Sequence, residues 1–323
     1  MKQSKLSLFL ALLCAFMLLA APAWGHGDGG HEHEHGHGNG DKMHNPKKGI
    51  LLVTFGTSHP KARAAFDNID AIVNRAYPDT PVRWAYTSKM IRRKLAREEG
   101  EQLKSAAQAL AAMQDEGFTH VAVQSLHIIP GSEFHDLRSV VQGFRDMSGG
   151  LKRITLGRPL LAEPESLEQV KEAMLQNILA DRKRDEAVIF LGHGSHHPSN
   201  AFYPAMAYIF RQADPLVFMS TVHKGAPKLQ PVLAELKQKN TDTVHIMPFM
   251  SVAGNHARKD MAGSGEGSLK SRLEAEGFTV NPVMKGMAEY DNVVGVWLGH
   301  LDRAMAQLEQ ADHTHRHRHG EDH

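Results

Sequence analysis

The sequence predicts an α/β protein: two similar doubly wound parallel-sheet domains facing each other across a cleft. Three observations carry that expectation. Short apolar runs alternate with amphipathic stretches along the central part of the chain. The order of the runs in residues 48–165 recurs in residues 185–310. Turns rich in Gly and His close the runs, where parallel strands place their ligand-binding loops.

Residues 49–55 (GILLVTF) are an apolar run of strand length that stops at Gly56-Thr57-Ser58. Residues 61–77 follow with Ala65, Ile69, Ile72, Val73 and Ala76 at helical spacing. Further strands are expected over 82–86, 121–129 and 154–161, with helical stretches over 91–114 and 134–147. The second half supplies strands over 187–191, 216–222, 243–249 and 279–283, again with helices between them, and right-handed crossovers join strands of this kind. The boundary between the halves falls within 163–184.

The halves align with each other. Residues 52–59 lie on 188–195, 82–88 on 217–223, and 121–133 on 244–256. One match between apolar strands is weak, but three in the same order indicate a duplicated domain. This alignment sets Thr57 on His193, Ser88 on His223 and Glu133 on His256.

Composition narrows the function classes. The 323 residues contain 41% hydrophobic and 23% charged side chains, ordinary for a folded chain. Lys plus Arg number 37 against 36 Asp plus Glu, so charge gives no reason to expect nucleic acid or an anionic membrane as partner. The abnormal figure is 22 His, crowded toward the termini.

Lys2 and Lys5 precede an apolar run over 6–20, and Ala21-Pro22-Ala23 supplies small residues at cleavage spacing. Residues 1–23 therefore read as a cleaved signal peptide, which implies a periplasmic protein with no membrane insertion after cleavage. A signal anchor is the alternative, but the run is shorter than the roughly 20 residues a bilayer requires. Cys14 leaves with the signal, so the mature chain has His and carboxylate as its metal ligands. The segment 24–47, with His26, His31, His33, His35 and His37, and the tail 311–323 lack apolar periodicity and are expected to be disordered. A metal-collecting role is favoured over a plain solvated tail or, at the C-terminus, a cloning artefact.

The chemistry collects at the strand ends of the second half, Gly192-His193-Gly194, Val222-His223-Lys224 and Gly254-Asn255-His256. A lone His at such a place is usually structural. Three on one sheet edge point to a divalent-metal site of His193, His223 and His256 with open coordination positions. Glu133 is expected to face them as a base, which makes His193, Glu133 and His256 the candidate catalytic residues. The competing reading of Glu133 is an acid in the first helical turn, with Ser132 as cap. His127 and His135 stay unassigned. The absence of Gly-x-Ser-x-Gly, of a Walker loop and of Gly-x-Gly-x-x-Gly after a strand speaks against a hydrolase and against nucleotide cofactors.

With these residues in place, the chain resembles the class II tetrapyrrole chelatases, most closely the anaerobic sirohydrochlorin cobaltochelatase family, here in an exported form. The resemblance covers about residues 48–310 and rests on 52–58 (LVTFGTS), 123–134 (VQSLHIIPGSEF), Gly192-His193-Gly194 and 248–261 (PFMSVAGNHARKDM). It implies insertion of a divalent metal, cobalt first and iron second, into sirohydrochlorin during cobalamin biosynthesis. The metal-handling pair maps onto His193 and His256, and the cleft carboxylate onto Glu133. Family members often carry Thr-Val-Glu-Gly where this chain has Thr221-Val222-His223-Lys224-Gly225, and an imidazole there favours later, nitrogen-loving metals. Arg92, Arg93 and Arg258 are candidates for the macrocycle carboxylates. The alternative function is a periplasmic carrier of metal or of a haem-like tetrapyrrole on the same scaffold, and a homo-oligomer is compatible with either.

Overall fold

Each half folds as its hydrophobic pattern requires. In the computed structural model, which describes residues 46–222 and 225–318, the first half runs β1 (Lys48–Thr54), α1 (Ala64–Ala76), β2 (Val82–Tyr86), α2 (Lys89–Glu98), α3 (Ala106–Asp115), β3 (His120–Ser125), α4 (Ser132–Arg145), β4 (Arg153–Gly157). After α5 (Pro164–Gln176) the second half runs β5 (Ala187–Gly192), α6 (Phe202–Ala213), β6 (Val217–Thr221), α7 (Leu229–Leu236), β7 (Thr243–Phe249), α8 (Leu269–Ala275), β8 (Thr279–Pro282), and α9 (Asp291–Arg318) closes the chain. The strands form two four-stranded parallel sheets, ordered β2-β1-β3-β4 and β6-β5-β7-β8. The identical order is the duplication in three dimensions. The inner strands β3 and β5 are buried at every position, which explains the continuous apolar run of β5.

Two expectations are corrected here. The stretch 91–114 is not one helix: Gly100 takes a φ of 70°, and Ser105 caps α3 in a capping box with Gln108, so the chain stops and restarts. The span 163–184 holds α5, started by Pro164 at its first turn. Helical backbone continues in α9 to Arg318, so the first part of the tail 311–323 is not without structure.

The repeat alignment also shifts. Ile50 pairs with Val82 as Val188 pairs with Val217, and Gly49 pairs with Val121 as Ala187 pairs with Val244. Ile50 is therefore the counterpart of Val188, two residues from the sequence match that put Leu52 there. An even slip keeps every side chain on its own face, so apolar matching cannot detect it. The ladder register makes Gly56 the counterpart of Gly194, and both take positive φ, 96° and 77°. His193 then matches Phe55, not Thr57, while Glu133 keeps His256.

The last helix departs from chain order. α9 packs on β3 and β4 of the first sheet, and Thr155 donates its hydroxyl to the Ala304 carbonyl at 2.9 Å. Trp297 and Leu301 share one buried cluster with Ile50 and Leu52 of the first half and Phe190 and Phe249 of the second. The C-terminal segment grouped by sequence with 185–310 thus covers the other sheet, and a common core fixes the halves to each other. None of the helices among the described residues is long and apolar enough to cross a membrane. The signal segment 1–23, nearly all of the His-rich segment 24–47, residues 319–323 and His223 lie outside the described residues.

Candidate active site

The carboxyl edges of the two sheets meet through reciprocal loops. The loop after β1 touches the loop after β7: a Cβ at Gly254 would lie 3.2 Å from Thr57 Oγ1. The loop after β3 meets the loop after β5: a Cβ at Gly131 would lie 3.7 Å from Ser199 Oγ, and the His135 and His197 rings stand 4.8 Å apart. First-half loop one meets second-half loop three, and the reverse, as a duplicated pair facing itself requires.

His193 leaves the end of β5 on a turn that the sequence shapes closely. Gly192 has no Cβ because the Tyr203 ring is there, 2.6 Å from where one would sit, and Gly194 supplies the positive φ. His193 is exposed, and its Nδ1 lies 2.9 Å from the Gly194 carbonyl. His256 precedes a π-helical turn (Ala257–Met261), and its Nδ1 lies 2.7 Å from Asp260 Oδ2. A carbonyl and a carboxylate can only accept, so both neutral rings carry their proton on Nδ1 and their lone pair on Nε2. Metal-ligating imidazoles use this arrangement, with the Asp260 carboxylate orienting the ring.

The two rings are 4.7 Å apart, with planes at 80°. An ion at about 2.05 Å from a ring nitrogen is about 3.2 Å from the ring centre, so two imidazoles sharing it at 90–110° have centres about 4.5–5.2 Å apart. The observed separation lies in that range. Among the described residues no set of three His, Cys, Asp or Glu side chains gathers to hold an ion, so the structure brings together two of the three expected ligands. The third, His223, is one of those outside the description.

Glu133 lies exposed in the first turn of α4. Ser132 is not the cap: Gly131 takes the N-cap position and makes no side-chain bond. Tyr203 is deeply buried, and burial first, then the Glu133 charge, raises its hydroxyl pKa against the opposing pull of the Gly194 and His193 backbone N–H groups. Glu133 is thus close enough for its charge to be felt at Tyr203, whose ring packs against Gly192.

The unassigned histidines separate from the site. His127 is half-buried between Ser125 Oγ (2.8 Å) and Thr87 Oγ1 (3.3 Å), and its desolvation pushes its pKa down to about 4, so the ring is neutral at neutral pH. His135 packs edge-on against His197. His197 accepts the Ser199 N–H on Nδ1, which places its proton on Nε2, the opposite tautomer to the metal-type pair. Sequence reasoning missed Asp260, whose only signal is its i,i+4 spacing from His256, and it missed Tyr203 entirely.

A family model described as cobalt chelatase (CbiK) matches residues 48–306. The chain belongs to the CbiK cobalt chelatase family. Among its relatives in this family, the sirohydrochlorin cobaltochelatase CbiKC of Nitratidesulfovibrio vulgaris is 43% identical over 270 residues, covering 83% of this chain and 95% of the relative. The sirohydrochlorin cobaltochelatase of Salmonella typhimurium is 32% identical over 260 residues, covering 80% and 97%. SirB from Bacillus subtilis, solved with Fe3+, shares the fold with a TM-score of 0.55 at 17% identity, over 82% of this chain and 98% of that one. The chelatase fold expected from the motifs is the fold observed.

Proposed function

We propose that this protein inserts Co2+, with Fe2+ as the second choice, into sirohydrochlorin, and that it does so after export to the periplasm. The observation that carries the reaction is the His193–His256 pair, spaced for one ion, with both lone pairs on Nε2. Sirohydrochlorin as substrate is supported by the 43% identical relative of that activity. Export is supported by Lys2, Lys5, the apolar run 6–20 and the small residues after it.

The reaction converts M2+ and a macrocycle with two pyrrolic N–H groups into the metallated macrocycle and two protons. His193 and His256 hold the ion through Nε2, with His223 as third ligand from the loop after β6, and leave positions open for pyrrolic nitrogens. Glu133, exposed across the loop junction, receives a proton as the macrocycle closes on the metal. Three imidazoles where the family often has a carboxylate favour nitrogen-loving divalent metals.

Purified mature protein mixed with sirohydrochlorin and Co2+, Fe2+ or Ni2+, followed by absorbance, tests this reading. Many equivalents of metallated product per protein are expected. Metal or tetrapyrrole, haem included, taken up only one for one would replace the enzyme by a carrier. Cell fractionation tests the location, and recovery with cytoplasmic markers would refute export.

A further inference from the structure

We infer that the first half holds the macrocycle: exposed Phe55 gives it an apolar platform, and a rim of Arg92, Lys94 and Arg258 binds its peripheral carboxylates. The inference rests on the chelatase reading and adds the residues that grip the organic substrate.

The corrected register supplies the starting point. Phe55 occupies in the first half the position His193 occupies in the second, each just before a glycine of positive φ. Both are exposed, Phe55 at 42%. The duplicated edge therefore presents an aromatic face where its twin presents a metal ligand.

Cations lie on the elements that flank the loop after Phe55. Lys94 Nζ donates to Ser58 Oγ at 3.2 Å, which ties α2 to the loop after β1. The start of α2 packs there too, since a Cβ at Gly56 would lie 3.4 Å from the Ile91 side chain. Arg92 follows Ile91 and has a buried Nε without a hydrogen-bond partner. Arg258 arrives from the facing half on the π-helical turn whose loop touches Thr57. His59 reports the gathering: its Nδ1 is buried without a partner, and burial, then Arg258, Lys61 and Lys94, hold its pKa below the ordinary value. Lys94 reaches Glu98 only at 3.8 Å, while Arg92 and Arg258 make no ion pair among the described residues. Arg92 and Arg258 without ion pairs, and Lys94 with only a long one, on elements that flank the loop of an exposed aromatic ring match a flat, apolar ligand edged with carboxylates.

The test titrates metal-free sirohydrochlorin into the full-length protein by fluorescence, at low and high sodium chloride, beside steady-state metallation. The variants are Phe55→Ala, Arg258→Ala and the double variant R92A/K94A. Removing two charge-assisted contacts is expected to raise the macrocycle Kd and KM about tenfold or more and to flatten the salt dependence. Co2+ affinity without macrocycle does not weaken, and the thermal midpoint stays as in wild type. Macrocycle binding within about twofold of wild type in all three variants, with wild type active, overturns the rim and leaves the chelatase reading standing. Tight, variant-sensitive binding by a wild type that does not metallate supports the rim and removes the chelatase reading. A wild type that does not bind sirohydrochlorin overturns both.

Discussion

Lowering the pH from 7 to 4 should destabilise the fold through one half-buried, desolvated ring, that of His127. Burial holds the His127 pKa at about 4 in the folded protein, against an ordinary 6.5 when the chain unfolds. Above 6.5 the ring is neutral in both states and contributes its full packing. As the pH falls from 6.5 toward 4, the unfolded chain takes up a proton that the folded chain refuses, and stability drains away; below 4 the loss is complete. At 1.36 kcal/mol per pH unit the interval is worth about 3 kcal/mol, about 2 of it gone by pH 5. That is a large share of a typical stability of about 5–15 kcal/mol. The assay is urea unfolding of wild type and His127→Asn at several pH values between 7 and 4. The variant loses the hydrogen bonds to Ser125 and Thr87, so it starts less stable at pH 7. It lacks the titrating ring, so its deficit should shrink by up to about 3 kcal/mol as the pH falls, other groups cancelling in the difference. Parallel stability curves for the two proteins would refute the assignment of His127 as a desolvated neutral ring.

Other perturbations read other parts of the molecule. His193→Ala or His256→Ala should reduce Co2+ affinity and metallation by more than about 100-fold, beyond the usual cost of losing an orienting partner, as measured by cobalt titration and turnover. Asp260→Asn keeps the ligand but weakens its orientation, so about 10–100-fold in metal affinity is expected with little change in melting. Gly192→Ala forces a methyl against the Tyr203 ring and should cost about 1–3 kcal/mol by calorimetry. Deleting residues 26–45 and 313–323 should lower metal loading when metal is scarce and leave turnover at saturating metal unchanged; a collapse of that turnover would place the tails in the chemistry.

Much of the fold is legible because burial leaves a periodic trace. Inner strands such as Ala187–Gly192, buried throughout, read as unbroken apolar runs, and the helices between them force parallel pairing. What periodicity omits is the partner. The apolar stripe of α9 says how much that helix buries, but not that it crosses to the first sheet. Register is hidden for a related reason, since a slip of two leaves each face with the same character. That His193 and His256 lie close together is legible because strand ends in parallel sheets converge. Their tautomers are not, because these depend on which acceptor the fold brings to Nδ1. The same rule separates His197, bonded by a backbone N–H, from the two ligand-type rings.

The division of labour between the halves has an electrostatic reason. Metal capture needs neutral nitrogen lone pairs and little positive charge, whereas a polycarboxylate macrocycle needs cations. A divalent ion about 8 Å from one uncompensated cation is repelled by about 4 kcal/mol at an effective dielectric of 20, enough to cancel much of what an imidazole ligand contributes. On the rim inferred above, duplication would ease the conflict by giving the Phe55 edge most of the cations and the His193 edge the imidazoles. Arg258 is the exception, two residues from His256, and there the Asp260 carboxylate bonded to His256 supplies an opposing charge. A macrocycle seated on the rim neutralises the remaining cations with its own carboxylates, so its arrival lowers the repulsion felt by the ion. Binding of the organic substrate and retention of the metal then reinforce each other, which is what a reaction that must hold both in one cleft requires.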